Sequence, residues 1–262
     1  MIFDVCFHFF FSLVYIRKFI RMKIYLIGVL LISFFATSCH FKEDIYINED
    51  GSGQVEGECI RDESVYMQFQ DDYAKENEFI DSNYVFKDVV KNENENFSRF
   101  LPEHQELLRK YENVKVHIKK DSYAKDYRKS ISLKFKDINE VEDLSNTLDY
   151  ADDLKNNYPM KPEGKRTHLA YAFDGKTFKR TFKVLNEANY DAYKETIQSV
   201  KQIYTITNFS YTSNYHFPRK IKSVSNPDAI LSADKKSLSL KMSLLDCLDK
   251  PEMAFLEVVL EN

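Results

Sequence analysis

Tryptophan is absent from the 262 residues, and glycine, proline and cysteine are scarce at six, six and four. So few glycines and prolines exclude a collagen-like or low-complexity linker chain. There is no C-x-x-C pair and no Cys/His cluster, so a structural zinc site lacks its ligand pattern. H-E-x-x-H, a Walker phosphate loop and the G-x-S-x-G nucleophile elbow are also missing. Gly51-Ser52-Gly53 sets a serine between glycines, but not in the elbow pattern. His40, His104, His117, His168 and His216 are scattered. Carboxylates are numerous, but number alone does not argue for glycosidase chemistry. No block of lysine or arginine gathers on one segment, which disfavours a nucleic-acid partner, because such binding needs dense positive charge against phosphate. The expectation is a protein that is not an enzyme and carries no metal or cofactor. The 21 Phe and 17 Tyr residues, with many Asn and Lys, match the bias of an AT-rich genome.

The stretch Leu31–Gly53 organises the chain. Ile24–Phe35 is an almost unbroken apolar run of about a dozen residues, shorter than the roughly 20 that span a bilayer. It has the length of a secretory signal core. Arg17, Lys18, Arg21 and Lys23 precede it, the order required for export. Small residues Ala36, Thr37 and Ser38 then lead into Cys39. This order resembles the lipobox of bacterial lipoproteins, with Ala36 standing where leucine is usual. The resemblance implies cleavage between Ser38 and Cys39 and a diacylglyceryl cysteine, with palmitate-type acylation, at Cys39. The alternatives are cleavage without lipid, or an uncleaved anchor. A second apolar run, Phe7–Ile16, is more than one signal needs, and Met22-Lys23 opens a standard signal by itself. Residues 1–21 therefore read as an over-extended start, or as a longer leading region. The expected organisation is a signal segment at 1–38 followed by a single α+β domain at 39–262.

The segment removed with the signal holds four basic residues and Asp4, so the mature chain keeps 33 of 37 basic and 40 of 41 acidic residues. It retains Cys59 and Cys247. An oxidising envelope permits a disulfide between them. Spacing alone says nothing about their distance, and two small buried thiols are the favoured reading.

Alternation and turn residues predict a hairpin over Asp44–Ile60, turning at Asn48–Gly53. Asp62–Asn113 reads as polar and helical. Val65, Phe69 and Tyr73 lie at helical spacing, Asp88–Ser98 forms an exposed turn, and Pro102 starts a helix. Strands follow around Val114–Ile118 and Ile131–Phe135, then a helix over Ile138–Leu154. Asn156–Lys165, with Pro159, Pro162 and Gly164, is the candidate sub-domain junction. A second hairpin turns at Asp174-Gly175, and Glu187–Ile203 is the clearest helix. Further strands are expected at Tyr204–Tyr211, within Ile221–Leu231, around Leu238–Met242 and at Ala254–Leu260, with one helical turn at Leu244–Leu248. The sum is α+β, a largely antiparallel sheet built from hairpins and packed with several helices.

Two stretches, DIYINEDGSGQVEG behind the lipobox and FPRKIKSVSNPDAILSADKKSLSL, resemble the ends of a group of Bacteroidetes-type lipoproteins. The second also resembles the end of the LppM-type lipoprotein domain, through Pro218, Ser225, Asn226 and Asp234. The resemblance covers only the two ends of the mature chain. It implies a lipid-held α+β envelope domain and brings no catalytic residues.

The acidic loop Asn48–Gly51 fails as a calcium site, because alignment on Gly51 puts Tyr46 first and Gly57 twelfth. Pro218–Lys222 reads as a charged edge strand, or as a contact for anionic headgroups. Lys42-Glu43-Asp44 resembles a surface-export signal, so the expected location is the outer membrane, facing periplasm or cell surface. The expected partners are the membrane, through the lipid, and an envelope protein, host molecule or apolar ligand. The leading reading is a binding or interaction module; the alternative is a carrier of a lipid or other apolar ligand.

Overall fold

The computed structural model describes residues 38–62, 79–158, 167–203 and 208–262. The chain divides into residues 1–37 and 38–262. The signal segment, the Val65–Tyr73 helix and most of the 156–165 junction lie outside the described residues.

Twelve strands and six α-helices occur among the described residues, in the expected α+β class. The first hairpin is longer than its alternation indicates: β1 (Ser38–Ile47) pairs antiparallel with β2 (Gly53–Asp62). Gly51 turns with φ 82°, and Asp50 accepts from Ser52 N at 3.0 Å. At Gly53 a Cβ would lie 1.8 Å from the Tyr46 carbonyl oxygen, so only glycine fits. Three other hairpins use the same device, an aspartate accepting backbone N–H groups beside a residue of positive φ. Asp121 with Lys125 joins β4 (Lys115–Asp121) to β5 (Asp126–Phe135). Asp174 with Gly175 joins β6 (Thr167–Phe173) to β7 (Thr177–Val184). Asp234 with Lys235 joins β10 (Ile230–Leu231) to β11 (Ser237–Ser243).

Between β2 and β4 the structure departs from expectation. β3 (Phe79–Val85) is a strand within the segment read as helical, paired with β4 at the edge of the sheet. Asp88–Ser98 is not an exposed turn. It belongs to α1 (Phe86–Asn92) and α2 (Asn94–Arg99), which bury Phe86, Val89, Val90 and Phe97. These apolar residues are too few to stand out in a charged stretch. Pro102 does open α3 (Pro102–Arg109). The single helix expected over Ile138–Leu154 is two 3-10 turns, Ile138–Glu140 and Leu144–Asn146, followed by α4 (Thr147–Asn156). Asp137 and Asp143 accept from the backbone two residues on, and each starts a new turn instead of continuing a helix.

The later chain gives α5 (Glu187–Ile203), β8 (Asn208–His216), β9 (Ile221–Val224), α6 (Leu244–Asp249) and β12 (Leu256–Leu260). The expected strand around Pro227 is split, with β9 and β10 in different sheets. One sheet runs β10-β11-β8-β1-β2-β5-β4-β3 and the other β6-β7-β12-β9. The pairing of β1 with β8 is parallel, and the other recorded pairings are antiparallel.

The inner face of the large sheet carries Ile45, Ile47, Val55, Ile131, Leu133 and Tyr215, all buried. Residues of the small sheet share one core with them, and Phe178 of β7 lies 5.4 Å from Tyr215 and 5.6 Å from Phe217, ring to ring. A helical cover joins the same core, where Tyr111 meets Tyr150 edge-on at 5.1 Å and Phe86 at 6.0 Å. The outer face is polar: Lys42 pairs with Asp44 at 2.8 Å, and Tyr46 stacks on His216 at 4.2 Å.

Candidate functional site: a cleft between the two covers

The small sheet and α4 do not close over the large sheet completely. Between them lies a cleft of ≈ 870 Å³. Its floor is Phe41 and Glu43 of β1, Val55, Gly57 and Cys59 of β2, and Ile131 of β5. Tyr150 of α4 stands on one side. Leu169, Tyr171, Arg180 and Phe182 of the small sheet, Tyr190 and Tyr193 of α5, and Leu248 of α6 add to its walls. The strand residues follow from the period-two pleat, which puts alternate positions on one face. Aromatic and aliphatic groups dominate, the usual lining of a small-molecule site.

One polar cluster is set into this apolar lining. Arg180 is 3% exposed. Its Nη1 donates to the Ala254 carbonyl at 3.0 Å and its Nη2 to the Tyr211 hydroxyl at 2.5 Å. Nη2 also lies 3.6 Å from a Glu43 oxygen. Tyr171 and Tyr211 each donate their hydroxyl to Glu43, at 2.8 and 2.7 Å. Arg180 Nε has no acceptor among the described residues. Burial works against the Arg180 charge, but Tyr211, Tyr215, Glu43 and Tyr171 surround it and hold its pKa well above the usual value. Burial, followed by the nearby Glu43, pushes the Tyr171 phenol well up. Burial does the same to Tyr211, against the opposing pull of Arg180. The two phenols therefore remain protonated donors, and the cluster is a matched cation and anion tied by hydroxyls.

Cys59 and Cys247, the candidate disulfide pair, are both buried free thiols. Both line the cleft. Burial pushes the Cys247 thiol up to about 11, far from a reactive thiolate. Cys39, the candidate lipid acceptor, is the second residue of β1, two positions before Phe41 and paired with Arg61 and Phe209. Ser38 pairs with Asn208. The histidines stay apart: His40 contacts Ser210, His117 contacts Asp81, and His216 contacts Ser237. No group of three or more metal-ligating side chains occurs among the described residues.

The basic stretch Pro218–Lys222 enters β9, an edge strand of the small sheet, as the edge reading expects. Arg219 reaches two hairpin turns and the end of β12, contacting Glu49 at 3.1 Å and the carbonyls of Gly175 and Glu261. In the motif Lys42-Glu43-Asp44, Lys42 and Asp44 pair with each other, while Glu43 lines the cleft. Motif reasoning named Glu43 only as part of an export-like signal and did not bring Glu43, Arg180, Tyr171 and Tyr211 together. The available signal was opposite charge at the apolar phase of two strands: Glu43 between Phe41 and Ile45, and Arg180 between Phe178 and Phe182.

No helix among the described residues is long and apolar enough to cross a membrane. No protein-family model matches the chain. No curated protein matches it either. Among solved structures, the folded domain of the Mycobacterium tuberculosis LppM protein aligns over 87% of this chain and 92% of its own, at 8% identity and a TM-score of 0.33. At that level nothing about fold or function is carried from that protein to this chain.

Proposed function

We propose that this chain is a cell-envelope lipoprotein, anchored through lipid on Cys39, that holds a largely apolar ligand in the cleft between its two covers. The ≈ 870 Å³ cleft, walled by Tyr150, Tyr171, Tyr190, Tyr193 and Phe182, carries the reading. A cleft of that size with an apolar and aromatic lining belongs to the range that takes small-molecule ligands. The cleft moves the carrier reading ahead of a module that works only through a flat surface. No reaction is assigned to it.

The position of Cys39 sets where such an anchor would hold the domain. β1 begins at Ser38, so an acylated Cys39 sits about 7 Å along the strand from Phe41, at roughly 3.3 Å per residue. The cleft would then open close to the bilayer, where an apolar ligand is taken up or released.

Gly57 provides the test of the ligand. It lines the cleft, and a Cβ added there would meet only the Ile131 carbonyl oxygen, at 3.9 Å. Gly57→Trp therefore fills the cleft without backbone strain. Organic extraction of the purified full chain, read by mass spectrometry, is expected to yield a bound apolar compound from the wild type and none from the variant. An equal yield from both would sink the proposal. For the anchor, Cys39→Ser is expected to move the protein into the soluble fraction; unchanged membrane retention would refute lipidation. Protease added to intact cells separates the two orientations, since only a surface-facing domain is removed.

A further inference from the structure

The cleft contains a charge that its own partner cancels. Arg180 is the cation at its deep end and Glu43 the anion, 3.6 Å apart, bridged through the Tyr211 hydroxyl. Of the other charged side chains in the lining, the carboxylates Asp143, Asp149 and Asp153 stand against one ammonium group, Lys129, since Lys42 and Glu58 pair in register on the outer face of the sheet. Resting on the reading of the cleft as a binding site, we propose that it selects an uncharged amphiphile whose polar end bears hydroxyl groups, and discriminates against anionic lipids with the same tail.

The reason is electrostatic. An acidic headgroup approaching Arg180 meets Glu43 beside it, so attraction and repulsion largely cancel. The headgroup still loses its hydration, a loss repaid only by an uncompensated opposite charge. The acidic excess along the walls adds to the penalty. A hydroxyl pays much less to leave water and can both donate and accept. Glu43 has acceptor capacity beyond its two tyrosine bonds, and the Tyr171 hydroxyl, donating to Glu43, keeps its lone pairs. A glycerol-like or sugar-like end therefore finds an acceptor and a hydroxyl in the same cluster, with aromatic walls left for the chain.

The test uses a matched pair of lipids. The full chain is reconstituted in phosphatidylcholine vesicles with a monoacylglycerol, or with its phosphate monoester, each carrying a photoreactive diazirine in the same acyl chain. Crosslinked peptides are mapped by mass spectrometry. The monoacylglycerol is expected to label the cleft peptides of β2, α4 and α6 about tenfold or more above its phosphate, the scale set by an unpaired charge in a partly buried site. Glu43→Gln leaves Arg180 uncancelled, and labelling by the phosphate is expected to rise to equal or exceed that of the neutral lipid. Equal or stronger labelling of the wild type by the phosphate overturns the proposal and leaves the cleft as a binding site. An unaltered ratio in a folded Glu43→Gln protein overturns it too. If Glu43→Gln does not fold, the wild-type ratio decides alone. Absence of cleft labelling by either lipid overturns the binding site itself, and the selectivity with it.

Discussion

Glu43 and Arg180 illustrate what one residue can cost. Each is removed from water, and each depends on the other and on two tyrosine hydroxyls for compensation. Truncating one leaves the other charge without its counterpart. Glu43→Ala is expected to destabilise the protein by about 3–5 kcal/mol in urea unfolding. Glu43→Leu with Arg180→Met removes both charges together, and is expected to cost far less than the two single changes added. Additive costs would show that the pair is not coupled. Such a pair contributes little net stability compared with apolar packing, so its placement in a cleft suits recognition better than support. Its members were visible in the sequence as residue types, but not as partners, because 137 positions separate them and no local pattern spans that distance.

Among the elements, the connection after β5 has the clearest mechanical role. Ile138 N donates to the Gly51 carbonyl at 3.0 Å, tying the 3-10 turn to the first hairpin. Asn139 then grips the end of β6 with both ends of its amide, accepting from Phe173 N at 2.9 Å and donating to Phe173 O at 3.2 Å. This stapling links the large sheet to the small one beside their shared core. Asn139→Ala is expected to cost about 1–2 kcal/mol, at roughly 0.5–1.5 kcal/mol per hydrogen bond, as a lower urea midpoint with an unchanged slope. Asn139→Asp, which sets a carboxylate where the amide nitrogen now donates to Asp137 at 2.6 Å and to the Phe173 carbonyl, is expected to cost at least as much. A full-strength Asn139→Ala protein would show that the staple is incidental. Hairpin turns were legible because Asp-Gly is a local signal. Asp234-Lys235 is legible as a turn too, and Asp121–Lys129 as a loop or long hairpin, because the aspartate is itself a turn residue even where the positive φ falls on lysine.

For the molecule as a whole, buried acids set the response to alkali. Burial raises the phenols of Tyr190 and Tyr215 to about 12 and the Cys247 thiol to about 11. It raises Tyr111, Tyr150, Tyr171 and Tyr211 as well. In the unfolded chain the same groups lose protons near their ordinary values, about 8.5 for a thiol and 10 for a phenol. Above those values the unfolded state binds fewer protons than the folded one, so stability falls as pH rises. Stability from these groups is complete below about pH 8.5 and is lost progressively as pH climbs toward their folded values. In an alkaline titration, tyrosinate absorbance from the buried phenols is expected to appear together with the loss of circular dichroism. Full tyrosine ionisation near pH 10 with the fold intact would contradict the burial described here.

The sequence by itself determined the alternation, the turn chemistry, the clear helix over 187–203 and the α+β class, because each depends on contacts within a few residues. It also carried the lipobox-like approach to Cys39. Tertiary structure decided the rest. It buried Phe86, Val89, Val90 and Phe97 in short helices of a charged segment, and it put β1 beside β8 in parallel, across more than 160 residues. It left Cys59 and Cys247 as separate thiols in the wall of one cleft. It also brought Glu43 to Arg180. The reason is common to all four: a pleated strand shows which residues share a face, but only packing decides which faces meet and where they stay apart.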